Sequence, residues 1–247
     1  MKKDGDFIRK YCFTTSLTII LLYPLSKLFG KQRELLFATY VPPRISFISL
    51  FVFQEIVAIY SVFMCSNFMT LDANLLIQIG IQIEIMKDSL AQIRDINLIF
   101  GLINHFDEIL SLTRKVQHIF RIGISIHFVT GILVVCTTLF RLTEFTMDEM
   151  ALLLPYSSAI ILIVFIHCWF GNEVIYRSHG IAESIFCSNW IGSNMTTQKV
   201  ILMFMTFTKK PVEIRLGGGV FTMAVPLFIS IFRTAYSYFT LLQKFQQ

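Results

Sequence analysis

The sequence predicts an all-α polytopic membrane protein with about five transmembrane helices, some of which continue into water. Three observations lead there. Charged residues make up 15% of the chain and hydrophobic ones 55%, with a mean hydropathy of +0.66, where soluble domains hold roughly 25% charged residues. The apolar residues fall in runs long enough to cross a hydrocarbon core of roughly 30 Å. Lys and Arg gather in the connections between those runs. Topology therefore accounts for the formal charge of +5 without a nucleic-acid partner.

The first apolar span is Phe13 to Phe29, short and interrupted by Pro24. The basic start (Lys2, Lys3, Arg9, Lys10) leads into it without an A-x-A-like exit, so no cleavable signal peptide is expected. A polar loop, Gly30 to Arg44, ends in Pro42-Pro43, which stops one helix and sets the entry to the next. The second span, Ile45 to Met69, carries Gln54 and Glu55. A carboxylate inside a membrane is costly enough to be a functional candidate; an interfacial or hydrogen-bonded Glu55 is the structural alternative.

From Thr70 the pattern changes. Leu71 to Lys87 mixes polar and apolar residues at helical spacing, with Glu84 and Lys87 three apart, and reads as the second helix running out of the bilayer into water. After a break around Arg94 to Asn97, the amphipathic stretch Asn104 to Gln117 leads without proline into a third span, Ile119 to Phe140. The fourth span, Met150 to Phe170, is kinked or started at Pro155 and continues into polar Gly171 to Asn189. Val200 to Thr208 is too brief to span and is expected to be buried among the projecting helices. Lys209-Lys210-Pro211 ends it, and Gly217-Gly218-Gly219 is read as a hinge that launches the last span from Val220.

That last stretch, Val220 to Gln247, has two characters. Ser230, Thr234 and Ser237 recur at helical spacing, and the same stripe continues through Leu241 and Phe245. Lipid has no use for a hydroxylated face. A water-lined path with an apolar constriction does, and so does a close helix–helix contact; spacing leaves both open. Arg233 lies inside the same span, either snorkelling or facing an aqueous vestibule.

Loop charge orients the chain. Fourteen Lys and Arg (among them Lys87, Arg114, Lys115, Arg177, Lys209 and Arg215) fall on the side of the N-terminus and the projecting helices, against six on the other. The positive-inside rule then places the N-terminus in the cytoplasm and, after five spans, the C-terminus outside. Asn194-Met195-Thr196 is a formal glycosylation sequon on the cytoplasmic side, expected to be unmodified.

Catalytic patterns find no support. The five histidines (His105, His118, His127, His167, His179) have no metal-ligand spacing, the glycine triplet lacks the Lys-Ser/Thr of a phosphate loop, and there is no nucleophile elbow. Cys12, Cys65, Cys136, Cys168 and Cys187 form no C-x-x-C and read as small buried hydrophobes. No enzyme activity, cofactor or metal is expected. A transporter should show an internal repeat, and none is visible.

Several stretches carry a family resemblance. Cys168-Trp169-Phe170-Gly171-Asn172-Glu173-Val174 resembles the "CWFGNEV" signature of insect odorant receptors, and Thr234 to Leu242 is similar to that family's "TSYSYFTLL" ending. Gln198 to Gly219 looks like the family's broken seventh helix, and Ile81 to Lys87 like its "AQLEILK" segment. The similarity runs over essentially the whole chain. Family members have two helices before the one at Phe13 to Phe29, so the resemblance implies that this chain corresponds to helices three to seven.

The resemblance implies a subunit of an odorant-gated, nonselective cation channel in the plasma membrane, assembled as a heterotetramer with a shared odorant co-receptor subunit. Residues 1–70 then hold helices three and four with an extracellular loop, 71–118 a cytoplasmic helical anchor, and 119–170 helices five and six. Residues 171–219 complete the anchor with a short buried helix, and 220–247 line the pore through Ser230, Thr234, Ser237, Leu241 and Phe245. Leu241 and Phe245 fall at the family's apolar gate. A small volatile odorant would bind in the outer half of the bundle, in a mostly apolar cavity with one or two polar groups. Tyr23, Phe51, Gln54, Leu152 and Tyr156 are the residues expected there, ordinary packing being the alternative for each. The other functional classes are a gustatory-type receptor channel, a membrane transporter or enzyme, and a truncated receptor that does not gate.

Overall fold

The structure is a computed structural model that describes Thr14 and residues 46–91, 96–141, 147–188 and 190–246. The first span and Tyr23 therefore lie outside the described residues, apart from a helical Thr14. Among the described residues four long helices dominate: α1 (Phe47–Ala91), α2 (Ile96–Arg141), α3 (Met147–His179) and α6 (Val225–Gln246). Two short ones, α4 (Ile181–Phe186) and α5 (Met195–Thr208), lie between them, with a small hairpin before α6.

Length alone decides that α1 and α2 outrun a bilayer. They have 45 and 46 residues, about 68 Å each, against a hydrocarbon core of roughly 30 Å. Burial shows where the change of solvent falls. In the first half of α1, Ile48, Phe53, Ile56, Tyr60 and Phe63 are exposed, an apolar surface that only lipid suits. From Asp72 onward the helix turns conventional: Leu76, Ile79, Ile83, Met86 and Leu90 are fully buried while Glu84 is exposed. On α2 the order is reversed along the chain. Ile99, Phe106, Ile109 and Val116 are buried in its first half, and in its second Ile119, Ile122, Ile126, Val129 and Leu133 form an exposed apolar stripe opposite buried Phe120, Ile124 and Phe128.

The buried set on α1 advances by alternating threes and fours, as does that on α2 from Phe106 through Ile109, Thr113 and Val116 to Phe120, the spacing that keeps one seam facing a neighbour. The main core is centred on the protein-packed halves of α1 and α2 and reaches into the other half through Ile124, Phe128, Val164 and Ile231. It joins α1 and α2 to Cys168 and Val174 of α3, Ile181 and Ile185 of α4, Ile201 and Phe204 of α5, and the hairpin. A second, small cluster in the membrane half joins Val135 and Cys136 of α2 to Ala235 of α6.

Four expectations are corrected in detail. Helix α3 begins at Met147, so Pro155 lies within it rather than opening it. Helix α5 buries one face (Thr197, Ile201, Phe204, Thr208) and leaves Leu202, Met203 and Phe207 exposed; within this chain it is half covered, not enclosed. The glycine triplet does not launch a helix from Val220. It closes a tight antiparallel hairpin of β1 (Arg215–Leu216) and β2 (Phe221–Thr222), in register Arg215↔Thr222, and α6 starts only at Val225. Gly217 and Gly219 have φ of +57° and +100°, a region in which side chains are strained. Of the cysteines, Cys136 and Cys168 are buried but Cys65 and Cys187 are exposed, and Cys12 lies outside the described residues.

Among the described residues, three helices are long and apolar enough to cross a membrane, within Phe47–Leu90, Ile99–Leu139 and Ile160–Phe186. Helix α6, with 22 residues, has the length at about 33 Å but carries a polar face.

Candidate functional site

Helix α6 has two unlike faces. Ile231 and Ala235 are buried, and Phe228 and Phe232 pack beside them against the rest of the bundle. The ring of Phe228 meets those of Phe165 and Phe232 at 5.3 and 4.7 Å, and the Cys136 thiol donates to the Ala235 carbonyl at 3.7 Å. On the opposite face Ser230, Thr234, Ser237 and Leu241 are all exposed. Among the described residues the stripe packs against no helix. The side chain of Phe245 lies outside the described residues.

The hydroxyls of the stripe already have acceptors for their protons. Ser230 donates to the Leu227 carbonyl at 2.8 Å, Thr234 to that of Ser230 at 2.9 Å and Ser237 to that of Arg233 at 2.9 Å. Each hydroxyl oxygen keeps acceptor capacity toward the outside. The face is thus wettable without leaving a donor unsatisfied. Arg233 is exposed.

For the expected ligand pocket, the structure places Phe51 and Gln54 one turn apart on α1, both buried, at 7% and 6% exposure. Phe47 stacks on Phe51 at 6.3 Å. Next to them Glu55 has a buried Oε2 with no hydrogen-bond partner among the described residues. Leu152 and Tyr156 belong to the first turns of α3, but their side chains, like all of Tyr23, lie outside the described residues. One contact in this half went unread in the sequence. The Thr138 hydroxyl of α2 meets that of Ser157 of α3 at 2.7 Å; hydroxyls inside apolar runs were its only signal.

Two further polar groups were not singled out. Asp72 is fully buried and His167, on α3, is 4% exposed. The His167 Nδ1 lies 2.8 Å from the Ile163 carbonyl, which leaves Nε2 to face Asp72 Oδ2 at 3.3 Å. Neither carboxylate oxygen has a well-directed hydrogen bond. The pair sits where α1 passes from lipid-facing to protein-facing packing. Further along, Arg177 of α3 donates to Glu173 on its own helix at 2.8 Å and bridges to Glu84 of α1 at 2.5 Å. Glu84, which sequence spacing set beside Lys87, is thus taken up by another helix. Among the described residues no group of three His, Cys, Asp or Glu side chains gathers as a metal would need.

One glycine fixes where α3 meets the base of α6. A Cβ on Gly171 would lie 2.1 Å from the carbonyl oxygen of Met223. Met223 is fully buried, and its N–H donates to the Ile214 carbonyl at 2.8 Å. The hairpin is therefore seated directly on the backbone of α3.

A long-helix bundle with a lipid-facing half, a protein-packed half and a two-faced final helix defines a polytopic membrane protein. The family model described as 7tm Odorant receptor matches residues 2–236, and the chain belongs to that family. It is 27% identical to Odorant receptor 94a of Drosophila melanogaster over 136 residues, which cover 53% of this chain and 35% of that protein. Odorant receptor Or1 of Anopheles gambiae is 29% identical over 142 residues, covering 56% of this chain and 34% of that one. The matched segments thus span about a third of those relatives' length. The fold is that of the olfactory receptor OR5 from Machilis hrabei, solved in complex with eugenol. The TM-score is 0.73 at 20% identity, over 98% of this chain and 66% of that one.

Proposed function

We propose that this chain is a subunit of an odorant-gated, nonselective cation channel, and that α6 lines a central pore. The two-faced packing of α6 carries the reading: one side is buried by α2 and α3, while the hydroxylated side, Ser230, Thr234 and Ser237, is left bare. Copies of such a helix arranged around an axis would enclose a wettable path. Leu241, and Phe245 one turn on, would form its apolar constriction near the outer mouth. The partner is an odorant co-receptor subunit in a heterotetramer at the plasma membrane, with this chain's N-terminus cytoplasmic and its C-terminus outside. Residues 71–118 and 171–219 supply the anchor between subunits.

The ligand is a small volatile bound in the outer half of the bundle; that OR5 of Machilis hrabei, a protein of the same fold, was solved in complex with eugenol supports a ligand of this class. Phe51 offers the apolar wall and Gln54 the polar group, with Tyr23, Leu152 and Tyr156 completing the site.

The test is cysteine substitution on α6 during co-expression with the co-receptor. A charged thiol reagent should block odorant-evoked current through Ser230→Cys, Thr234→Cys and Ser237→Cys, and not through Ile231→Cys or Ala235→Cys. Leu241→Ser should raise current in the absence of odorant. Equal modification on both faces, with Leu241→Ser inert, refutes the pore assignment. A C-terminal tag reachable only after permeabilisation refutes the orientation.

A further inference from the structure

Helix α2 carries a feature that the channel reading does not use. Along it lies a groove of about 510 Å³, lined among the described residues by Asp107, Ser111, Arg114, Lys115, His118 and Ile119. Arg114, Lys115 and His118 are all exposed. Arg114 is lightly held, by Asp107 at 3.7 Å and the Leu110 carbonyl at 3.3 Å; an ion pair this exposed is weak. The groove ends where the lipid-facing surface begins. Lys115 heads the row that continues through Ile119, Ile122, Ile126, Val129 and Leu133, in steps of four and three residues along one helix face. Arg114, His118 and the exposed Arg121 form the neighbouring row. Val116, Phe120, Ile124 and Phe128 are buried on the other side, so both rows point away from the bundle.

We propose that this groove binds the headgroup of an anionic phospholipid, its acyl chains lying along the isoleucine row. Charge and continuity select that occupant. The guanidinium fork and the ammonium suit phosphate oxygens. From Ile119 to Leu133 the apolar row rises about 21 Å, more than the roughly 15 Å of one leaflet's hydrocarbon. A soluble anion would leave that row unused. A zwitterionic lipid would set its own cation against Arg114 and Lys115. The proposal requires only that α2 crosses a bilayer, and it stands or falls apart from the pore.

The test is native mass spectrometry of the detergent-solubilised full chain titrated with dioctanoyl phosphatidic acid, dioctanoyl phosphatidylcholine or inorganic phosphate. Phosphatidic acid should be retained at least tenfold more tightly than phosphatidylcholine. Removing each cation should weaken it by about fivefold, so Arg114→Gln with Lys115→Gln should cost about 25-fold. Lys209→Gln with Lys210→Gln removes as much charge from the exposed end of α5 and should leave retention unchanged. Three results overturn the proposal: equal retention of the two lipids, equal losses in the two double variants, and displacement of phosphatidic acid by phosphate at similar concentration. The last would mark a site for free anions. Both lipid-comparison and phosphate-competition results come from the unmodified chain, so misfolding of a variant does not protect the proposal.

Discussion

Replacing Gly171 by alanine puts the seating of α6 to a direct test. The added Cβ would stand 2.1 Å from the Met223 carbonyl oxygen, 3.0 Å from its carbon and 3.1 Å from Met223 Cγ. Ordinary contact begins at 3.4 Å, so the backbone of the hairpin must retreat by about 1.3 Å. No side-chain rotamer relieves a collision with a carbonyl, and Met223 is itself fully buried with its N–H donated to the Ile214 carbonyl. The flanking residues of α3 on that face, Cys168 and Val174, are themselves buried, so α3 has little room to yield. Overpacking of this kind costs about 2–3 kcal/mol, which for a chain of this length lowers the melting temperature by about 4–12 °C. The assay is thermal unfolding in detergent, read from the fluorescence of Trp169 and Trp190, the chain's two tryptophans. Gly101→Ala is the control: nothing lies within 4 Å of its Cβ, and alanine in a helix gains up to about 1 kcal/mol over glycine. If Gly171→Ala melts at or above the unmodified protein, or shifts no further than Gly101→Ala, the hairpin is not seated on α3 as described.

The buried pair and the partly exposed clamp can be tested in the same melting assay. Asp72→Ala leaves His167 Nε2 without its buried neighbour and should destabilise by about 1–3 kcal/mol. The double change Asp72→Leu with His167→Phe removes both partners and should recover much of that loss; a double variant no better than the single denies the coupling. Arg177→Ala leaves Glu84 and Glu173 facing each other across α1 and α3 and should cost about 1–3 kcal/mol, with Glu84→Gln removing only part of it. Equal melting of Arg177→Ala and the unmodified chain would mean that the bridge contributes nothing.

Much of the architecture was legible because two solvents write different patterns on one helix. Lipid leaves the outer surface of Ile48 to Phe63 apolar, whereas water demands that Leu76, Ile79, Ile83 and Met86 turn inward and Glu84 outward. That contrast is local, so the projecting parts of α1 and α2 could be read from period alone. The polar stripe on α6 was legible for the same reason, but not its surroundings. Spacing allowed a helix contact or a wet face, and only the packing of Ile231 and Ala235 showed which side the chain itself covers.

The sequence by itself determined the helical class, the change from apolar to amphipathic pattern along α1 and α2, and the family. Tertiary structure decided the rest. Asp72 and His167, Glu84 and Arg177, and Thr138 and Ser157 are partners that no helical period relates. The glycine triplet became a hairpin turn rather than a hinge because Ile214 and Met223 pair across it, and Gly171 matters because of a carbonyl far along the chain. Periodicity reports which face of a helix meets which solvent, since that depends on neighbours three and four residues away. Which side chains meet across helices depends on how the helices are set against one another, and no local pattern contains that.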